Sequence, residues 1–527
     1  MGLAVSSKAA TAEAPARPGA SSGSPEEPGR PWRRPGRWAD AVLLVPLAAV
    51  AVVARRPGYL LSHAFWLDEA WVADSVRAPL RQLGLLSSST PVGWTLLLRL
   101  VPDVGPPERL RLLPVGFAVA AVVAAYLLGR RLGRAQAVAA GLAAALAPSA
   151  LSYLSLKQYT ADAFVTLLLL WLGARLAAGW TRRRLVWLCL VCVPAVLVSH
   201  VTVFVSMAVM GALGLRALAE RRWDRLAWLV PLGLSVAAVQ AAAYLALAAR
   251  GDNAAMQRVW AADFVPLGDG VGPAASFVAR RTTEALGRVG FGPWPLAAAV
   301  VACGLAALWR GRLPVVVIAV ALLGAELVAA GALDRYPFLD ERTSLFFTTL
   351  LTVCGAIGVG SVAAWSARRL PTLPLGVAVA VGAAALLVPA ARASALHPMP
   401  ASTIRQQVAY VLAHRQPGDT VVVGAAASFG FGYYWPERPA FTPATARTAV
   451  RFQVDYPGLD DLVVVHQRLE PRTILEGMRQ AAARSRSGRV WVVLAEAGDR
   501  SPAWKQAMAD AGQVVRPALP KLVEVRP

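Results

Sequence analysis

The strongest constraint on this chain is a series of apolar runs separated by short polar connectors. They lie near residues 39–54, 112–129, 135–151, 163–179, 185–199, 201–219, 227–249, 293–309, 313–332, 345–365 and 373–394. About 20 apolar residues in a helix cross the hydrocarbon core of a bilayer. Inside lipid each segment must satisfy its own backbone N–H and C=O groups, which restricts such runs to helices. The chain therefore reads as an α-helical multi-pass membrane protein with about eleven transmembrane helices. Composition agrees, since only 16% of the 527 residues are charged, against about 25% in an ordinary soluble domain.

Charge is distributed as orientation in a membrane requires. Alternate connectors carry Arg130, Arg131 and Arg134; Arg182, Arg183 and Arg184; Arg221, Arg222 and Arg225; Arg310 and Arg312; and Arg368 and Arg369. The other set lacks these clusters and holds Asp68, Glu69, Asp162, Asp263 and Asp340. The positive-inside rule puts the arginine connectors and the N-terminus in the cytoplasm and the remaining loops outside, in the cell membrane. The net charge of +22 is spread over these connectors, whereas a nucleic-acid binder gathers its basic residues on one face or arm. No nucleic-acid partner is expected. Cys189, Cys192, Cys303 and Cys354 all fall inside apolar runs, so neither a disulfide framework nor a zinc spacing follows.

Three regions result. Residues 1–38, rich in Ala, Pro, Gly, Ser and Arg, have too few large apolar side chains to order themselves and are expected to be a disordered cytoplasmic tail. Residues 39–396 form the polytopic membrane domain. Residues 397–527 are expected to be an extracytoplasmic α/β domain. There Ile404–Ala413 and Thr473–Ala483 have helical spacing, and Thr420–Val423, Leu462–Val465 and Val490–Leu494 read as buried strands. That alternation predicts a doubly wound sheet. No glycine fingerprint for a dinucleotide follows the strands, and no cofactor is expected.

The candidate chemistry lies in the outward loops. His63-Ala64-Phe65-Trp66-Leu67-Asp68-Glu69-Ala70-Trp71 sets two adjacent carboxylates among aromatics, directly after the first span. Partial burial there raises a carboxylate toward the range of a general base; the structural alternative is a solvated acidic turn in an aromatic belt. Thr90-Pro91-Val92-Gly93-Trp94 and Glu108-Arg109-Leu110-Arg111-Leu112-Leu113-Pro114 are too short to cross and are expected to lie along the interface. In the next outward loop Lys157, Tyr153, Tyr159 and Asp162 suit a phosphate and sugar hydroxyls, or are snorkelling side chains at a helix end. His200 marks the following outward turn and is either a polar turn residue or a donor to an anionic oxygen. Arg342, behind the turn Tyr336-Pro337-Phe338, has the planar fork that holds a phosphate, unless it pairs with Asp340 or Glu341. Glu326 stands alone within an apolar run, where an acid is costly and defaults to a functional reading, or forms an interhelical hydrogen bond.

In this order the motifs resemble the GT-C superfamily of polyprenyl-phosphate-sugar-dependent glycosyltransferases, in particular bacterial relatives of the protein O-mannosyltransferases. The resemblance rests on Asp68-Glu69, Pro91-x-Gly93-Trp94, Glu108-Arg109-Leu110-Arg111, Lys157-Gln158-Tyr159-x-x-Asp162, and Tyr336-Pro337-Phe338 before Arg342-Thr343-Ser344-Leu345-Phe346. It covers residues from about 39 to 396. The resemblance implies a sugar moved outside the membrane from a polyprenyl-phosphate donor to an envelope acceptor (protein, glycan or lipid). It makes Asp68 the catalytic carboxylate with Glu69 as its neighbour, and Lys157 and Arg342 the cations that hold the carrier phosphate. Trp94, Tyr159, Asp162, His200 and Tyr336 are expected to line the substrate site. Relatives often have an acid two residues before the lysine; here Ser155 stands there, and no metal is expected. The competing reading is a transporter or flippase using Glu326 and Gln240, but no internal repeat of the transporter kind accompanies them.

Overall fold

The computed structural model describes residues 37–86, 90–102, 104–153, 155–248, 254–369, 374–396, 402–444, 452–466, 471–494, 502–515 and 522–526. The expected disordered tail lies outside these residues except at its last two. A helix occupies each of the eleven apolar runs: Arg37–Ala54, Leu112–Gly129, Arg134–Leu146 continued by Pro148–Ser152, Tyr159–Ala178, Arg182–Val198, Thr202–Ala219, Trp223–Ala243, Trp294–Arg310, Pro314–Ala332, Leu345–Arg369 and Pro374–Leu396. Among the described residues seven helices are long and apolar enough to cross a membrane, and the segments 38–54, 294–310 and 380–396 are shorter apolar helices.

Lipid tails are as apolar as leucine, so helix association there depends on close packing of small side chains. Alanines line the seam between Leu112–Gly129 and Arg134–Leu146, where Ala121, Ala125, Ala137, Ala140 and Ala144 are buried. Gly358 lets Leu345–Arg369 lie directly on the backbone of Gly304 in Trp294–Arg310; a Cβ at either glycine would strike the facing chain. Large apolar side chains such as Trp187, Trp228, Leu234, Trp309 and Trp365 point outward. Gln240 and Ser206 hydrogen-bond each other at 3.1 Å between two helices. Glu326 forms no hydrogen bond or ion pair with the described residues, although its Oε2 is buried.

The C-terminal region contains strands β1 Thr420–Gly424, β2 Ala440–Pro443, β3 Phe452–Asp455, β4 Leu462–Val465, β5 Val490–Val493, β6 Gln513–Val515 and β7 Leu522–Arg526. The main sheet has the order β4-β1-β5-β7-β6. Its β4, β1 and β5 are parallel, with Val422 opposite Val463 and Val492. Side chains alternate between faces along each strand. Val422, Val463 and Val492 pack under the helices Pro471–Arg484 and Pro502–Ala511, while Val421, Val423 and Trp491 face Ile404–His414 and Ser428–Tyr434. Helices thus cover both faces, as a doubly wound sheet requires. The sheet is nevertheless mixed, because β7 runs antiparallel to β5 and β6. Six residues separate β6 from β7, too few for a parallel crossover.

The segments holding Trp94 and Leu110, expected along the interface, turn one face into protein. Trp94, Leu98 and Leu110 are buried in a core shared with Phe65, Trp71, Phe429, Phe452 and Trp491. Trp71 stacks on Phe429 at 5.9 Å, the carboxylate of fully buried Glu108 accepts from Arg405 and Tyr434, and Arg77 donates to the Tyr433 carbonyl at 2.6 Å. The α/β region completes the first loop's hydrophobic core, so it is not a separately packed body.

Candidate active site

Asp68 lies in the first turn of the helix Leu67–Arg77, and two chain-distant cations meet at its Oδ2. Lys157 Nζ is 3.1 Å away and Arg342 Nη1 3.4 Å. The three side chains are 18%, 11% and 28% exposed, respectively. Oδ1 accepts no hydrogen bond from the described residues, which leaves one oxygen of the carboxylate open to a third party. The neighbours flagged as alternative partners of Arg342 are otherwise engaged. Asp340 Oδ2 accepts from the backbone N–H groups of Arg342 and Thr343, and Glu341 is the hydrogen-bond partner of Tyr153.

Each cation sits on a braced turn. In the lysine turn, Leu156 N–H donates to Glu69 Oε1 at 3.0 Å and Trp94 Nε1 donates to the Leu156 carbonyl at 2.9 Å. Lys157 N–H donates to Ser155 Oγ at 3.1 Å. Ser155 thus contributes a neutral side chain that fixes the loop. In the arginine turn, the Asp340 cap is joined by Tyr336, whose hydroxyl donates to the Thr343 carbonyl at 2.6 Å. Arg288 donates to the carbonyl of Leu339, a residue at φ 50. The connector between Trp223–Ala243 and Trp294–Arg310 supplies Trp260, whose ring lies 5.2 Å from the Arg342 guanidinium carbon.

Glu69, expected beside Asp68 in catalysis, faces away from it. Arg111 grips both its oxygens, Nε to Oε1 at 2.8 Å and Nη2 to Oε2 at 2.6 Å, and Trp66 N–H also binds Oε2. Arg111 spends its remaining donors on the Leu60, His63 and Ala64 carbonyls. This buried pair ties the helix Leu67–Arg77 to the start of Leu112–Gly129, and Glu69 acts through the lysine turn. Trp94 and Tyr336, expected to touch substrate, each use their polar atom on the backbone of a turn; Trp94 is wholly buried.

The other expected residues form an inner layer. Tyr159 is buried against Ala147, Ala150 and Leu345 and feels the charges of Asp68 and Arg342. Asp162, three residues further along the same helix, is buried with Oδ1 unpartnered. His200 is partly buried between two helices, and desolvation pushes its imidazole down to about 4. At neutral pH it is uncharged, and a neutral imidazole still carries one N–H that can donate to an anionic oxygen. Sequence reasoning placed Arg111 in a motif without giving it a role, and passed over Trp260. Arg111 had a signal, an arginine at the foot of a span with acids in the preceding loop; Trp260 had none.

Among the described residues no group of three or more His, Cys, Asp or Glu side chains could hold a metal ion. At Asp68 the neighbouring ammonium and guanidinium would repel a divalent cation, so these residues do not fit one.

No family model and no curated protein matches the chain. Among solved structures it is similar to the oligosaccharyltransferase of Archaeoglobus fulgidus in complex with Zn and sulfate. The identity is 13% and the TM-score 0.50, over 86% of this chain and 68% of that one. The archaeal oligosaccharyltransferase from the same organism in complex with an inhibitory peptide and a dolichol-phosphate gives 12% identity and a TM-score of 0.49, over 86% and 69%. The chain has the multi-pass GT-C fold with a C-terminal α/β region.

Proposed function

We propose that this protein is a membrane glycosyltransferase that moves a sugar from a polyprenyl-phosphate donor to an envelope acceptor outside the cytoplasmic membrane, with inversion. The observation that carries this reading is the meeting of Asp68 with Lys157 and Arg342 at one end of the helical bundle. Lys157 and Arg342 take the carrier phosphate, which relieves Asp68 of its ion pairs as the donor docks. The acceptor oxygen attacks the anomeric carbon and its proton passes to Asp68. The bond from that carbon to the phosphate oxygen breaks, and the electron pair stays on the phosphate. The two cations stabilise the charge that grows there, the preorganised electrostatic role that is usually the largest catalytic contribution. Glu69, Arg111, Trp94 and Tyr336 hold the two turns at working distance, since misplacement by about 1 Å costs roughly 100-fold in rate.

The fold and the ordered motifs support this reading together with the cation pair. No step uses a metal. The arginine-rich connectors set the loops and the α/β region on the outer side. A cysteine at Leu100, which is exposed in the first loop, should react with a membrane-impermeant thiol reagent on intact cells. Mass spectrometry of envelope glycans with and without the gene tests the function. Loss of one sugar from one attachment point is expected; an unchanged envelope glycan profile contradicts a transferase.

A further inference from the structure

At the end of the bundle opposite Asp68 lies a cationic group that no step above uses. Helix Tyr159–Ala178 starts two residues after Lys157 and carries Arg175 in its last turn, about 24 Å further along at a rise of about 1.5 Å per residue. Helix Leu112–Gly129 starts beside Arg111 and runs into Arg130 and Arg131. Arg184 stands in the first turn of Arg182–Val198. Arg131 feels the positive charges of both Arg175 and Arg184, and none of the three pairs with a carboxylate among the described residues. The acids on the neighbouring connector are spent elsewhere, Glu220 on Arg216 and Arg225 and Asp224 on Arg222. Arg184 is seated: its Nη1 donates to the carbonyls of Gly179 at 2.5 Å and Arg175 at 3.4 Å, and a Cβ at Gly179 would strike that nitrogen. Arg175 lies over Trp171, 5.5 Å from its ring centre. Arg131 and Arg184 are half-buried and Arg175 is exposed, so a group arriving from the bilayer surface can reach them. Val186, Trp187 and Leu190, within two turns of Arg184 on the same helix, are exposed.

Scattered arginines in a connector are explained by orientation in the membrane alone. Three unpaired guanidinium groups drawn within each other's field, one of them seated over a glycine, ask for more, because like charges repel. Their forks match phosphate oxygens, and basic pockets between spans bind lipid head groups. The exposed apolar stretch beside Arg184 is a surface for acyl chains. We propose that Arg131, Arg175 and Arg184 form a head-group site for an anionic phospholipid in the leaflet opposite the proposed active site. The net negative charge of that lipid offsets the repulsion among the three cations, which a zwitterionic head group does less completely. The site is independent of the transferase reading.

The test uses the full-length protein in detergent, titrated with phosphatidylglycerol or phosphatidylcholine and read by native mass spectrometry. The double variant Arg175→Gln/Arg184→Gln removes two charges from the cluster. Arg134→Gln/Arg183→Gln removes two exposed charges from the same connectors and is the control of equal net charge. The wild type should prefer phosphatidylglycerol. A basic residue near an anionic head group contributes about fivefold in affinity, so the cluster variant should bind phosphatidylglycerol about 30-fold more weakly. Its affinity for phosphatidylcholine should change little, and the control should bind both lipids as the wild type does. Arg175→Gln alone, at an exposed position, guards against a folding defect and should cost about fivefold. Equal loss in the control and the cluster variant would reduce the effect to net charge and overturn the inference. So would a wild type without preference, or cluster variants that bind phosphatidylglycerol as tightly as the wild type.

Discussion

Arg342 Nη1 reaches Oδ2 of Asp68 at 3.4 Å across 274 residues of chain. This contact ties the loop after the first span to the turn before Leu345–Arg369, and Lys157 joins it from a third loop. Three connectors converge on one carboxylate oxygen.

Removing either cation should slow transfer without unfolding the protein. Arg342→Gln and Lys157→Met should each lower kcat by about 10²–10³, the range for loss of one preorganised stabilising group. Arg342→Lys should recover only part, because a point charge does not reproduce the fork. Steady-state kinetics in nanodiscs with varied donor checks this; a variant that raises donor KM at constant kcat would reduce the residue to ground-state binding.

Glu69→Gln should act first on stability. It leaves the Arg111 guanidinium buried without its carboxylate, and breaking a buried pair costs about 3–5 kcal/mol. A marked fall in Tm is expected, together with loss of activity through the loosened Leu156 turn. Trp94→Phe removes only the indole hydrogen bond and should cost about 1 kcal/mol. If Glu69→Gln kept the wild-type Tm while losing turnover, Glu69 would be a reactive group after all.

His200 makes stability pH-dependent in a defined window. Its folded pKa, about 4, lies below the ordinary 6.5, so between these values the unfolded chain binds more protons than the folded one. Stability is therefore full above about 6.5 and falls as pH drops toward 4. His200→Asn should flatten this part of a Tm-against-pH curve and leave the activity profile between pH 7 and 8 unmoved. An activity profile that shifts there would restore a charged role for the imidazole.

A chain ending at residue 396 should fail to fold. Trp71 would lose Phe429 and Phe452, Phe65 would lose Tyr433, and Glu108 would lose both hydrogen-bond partners. Size-exclusion profiles of the two lengths in the same detergent check this. A monodisperse short form would show that the α/β region is an appendage.

Much of this structure was legible in the sequence because membrane physics writes it there. Eleven apolar runs became eleven helices, with ends moved by a few residues. Asp68, Lys157 and Arg342 were identifiable because ionisable groups at the ends of spans are few. Their supports were harder to read. Glu69 and Asp68 are adjacent and chemically alike, yet helical geometry sends one carboxylate to Arg111 and the other to the cations. Trp94 was expected to line the substrate site because nothing local announces that its indole will be spent on the Leu156 carbonyl and packed against Phe117. The β2-β3 hairpin and the antiparallel β6 and β7 are short, and pairing of so few residues depends on tertiary context.

The most direct test is an Asp68→Asn allele introduced at the native locus, read by mass spectrometry of envelope glycans beside the wild type and a deletion. The protein should insert normally while the glycan lost in the deletion is lost here too, turnover falling by about 10²–10⁴ as general-base removal predicts. A deletion that lacks the glycan beside an Asp68→Asn strain that keeps it at wild-type level would contradict the account.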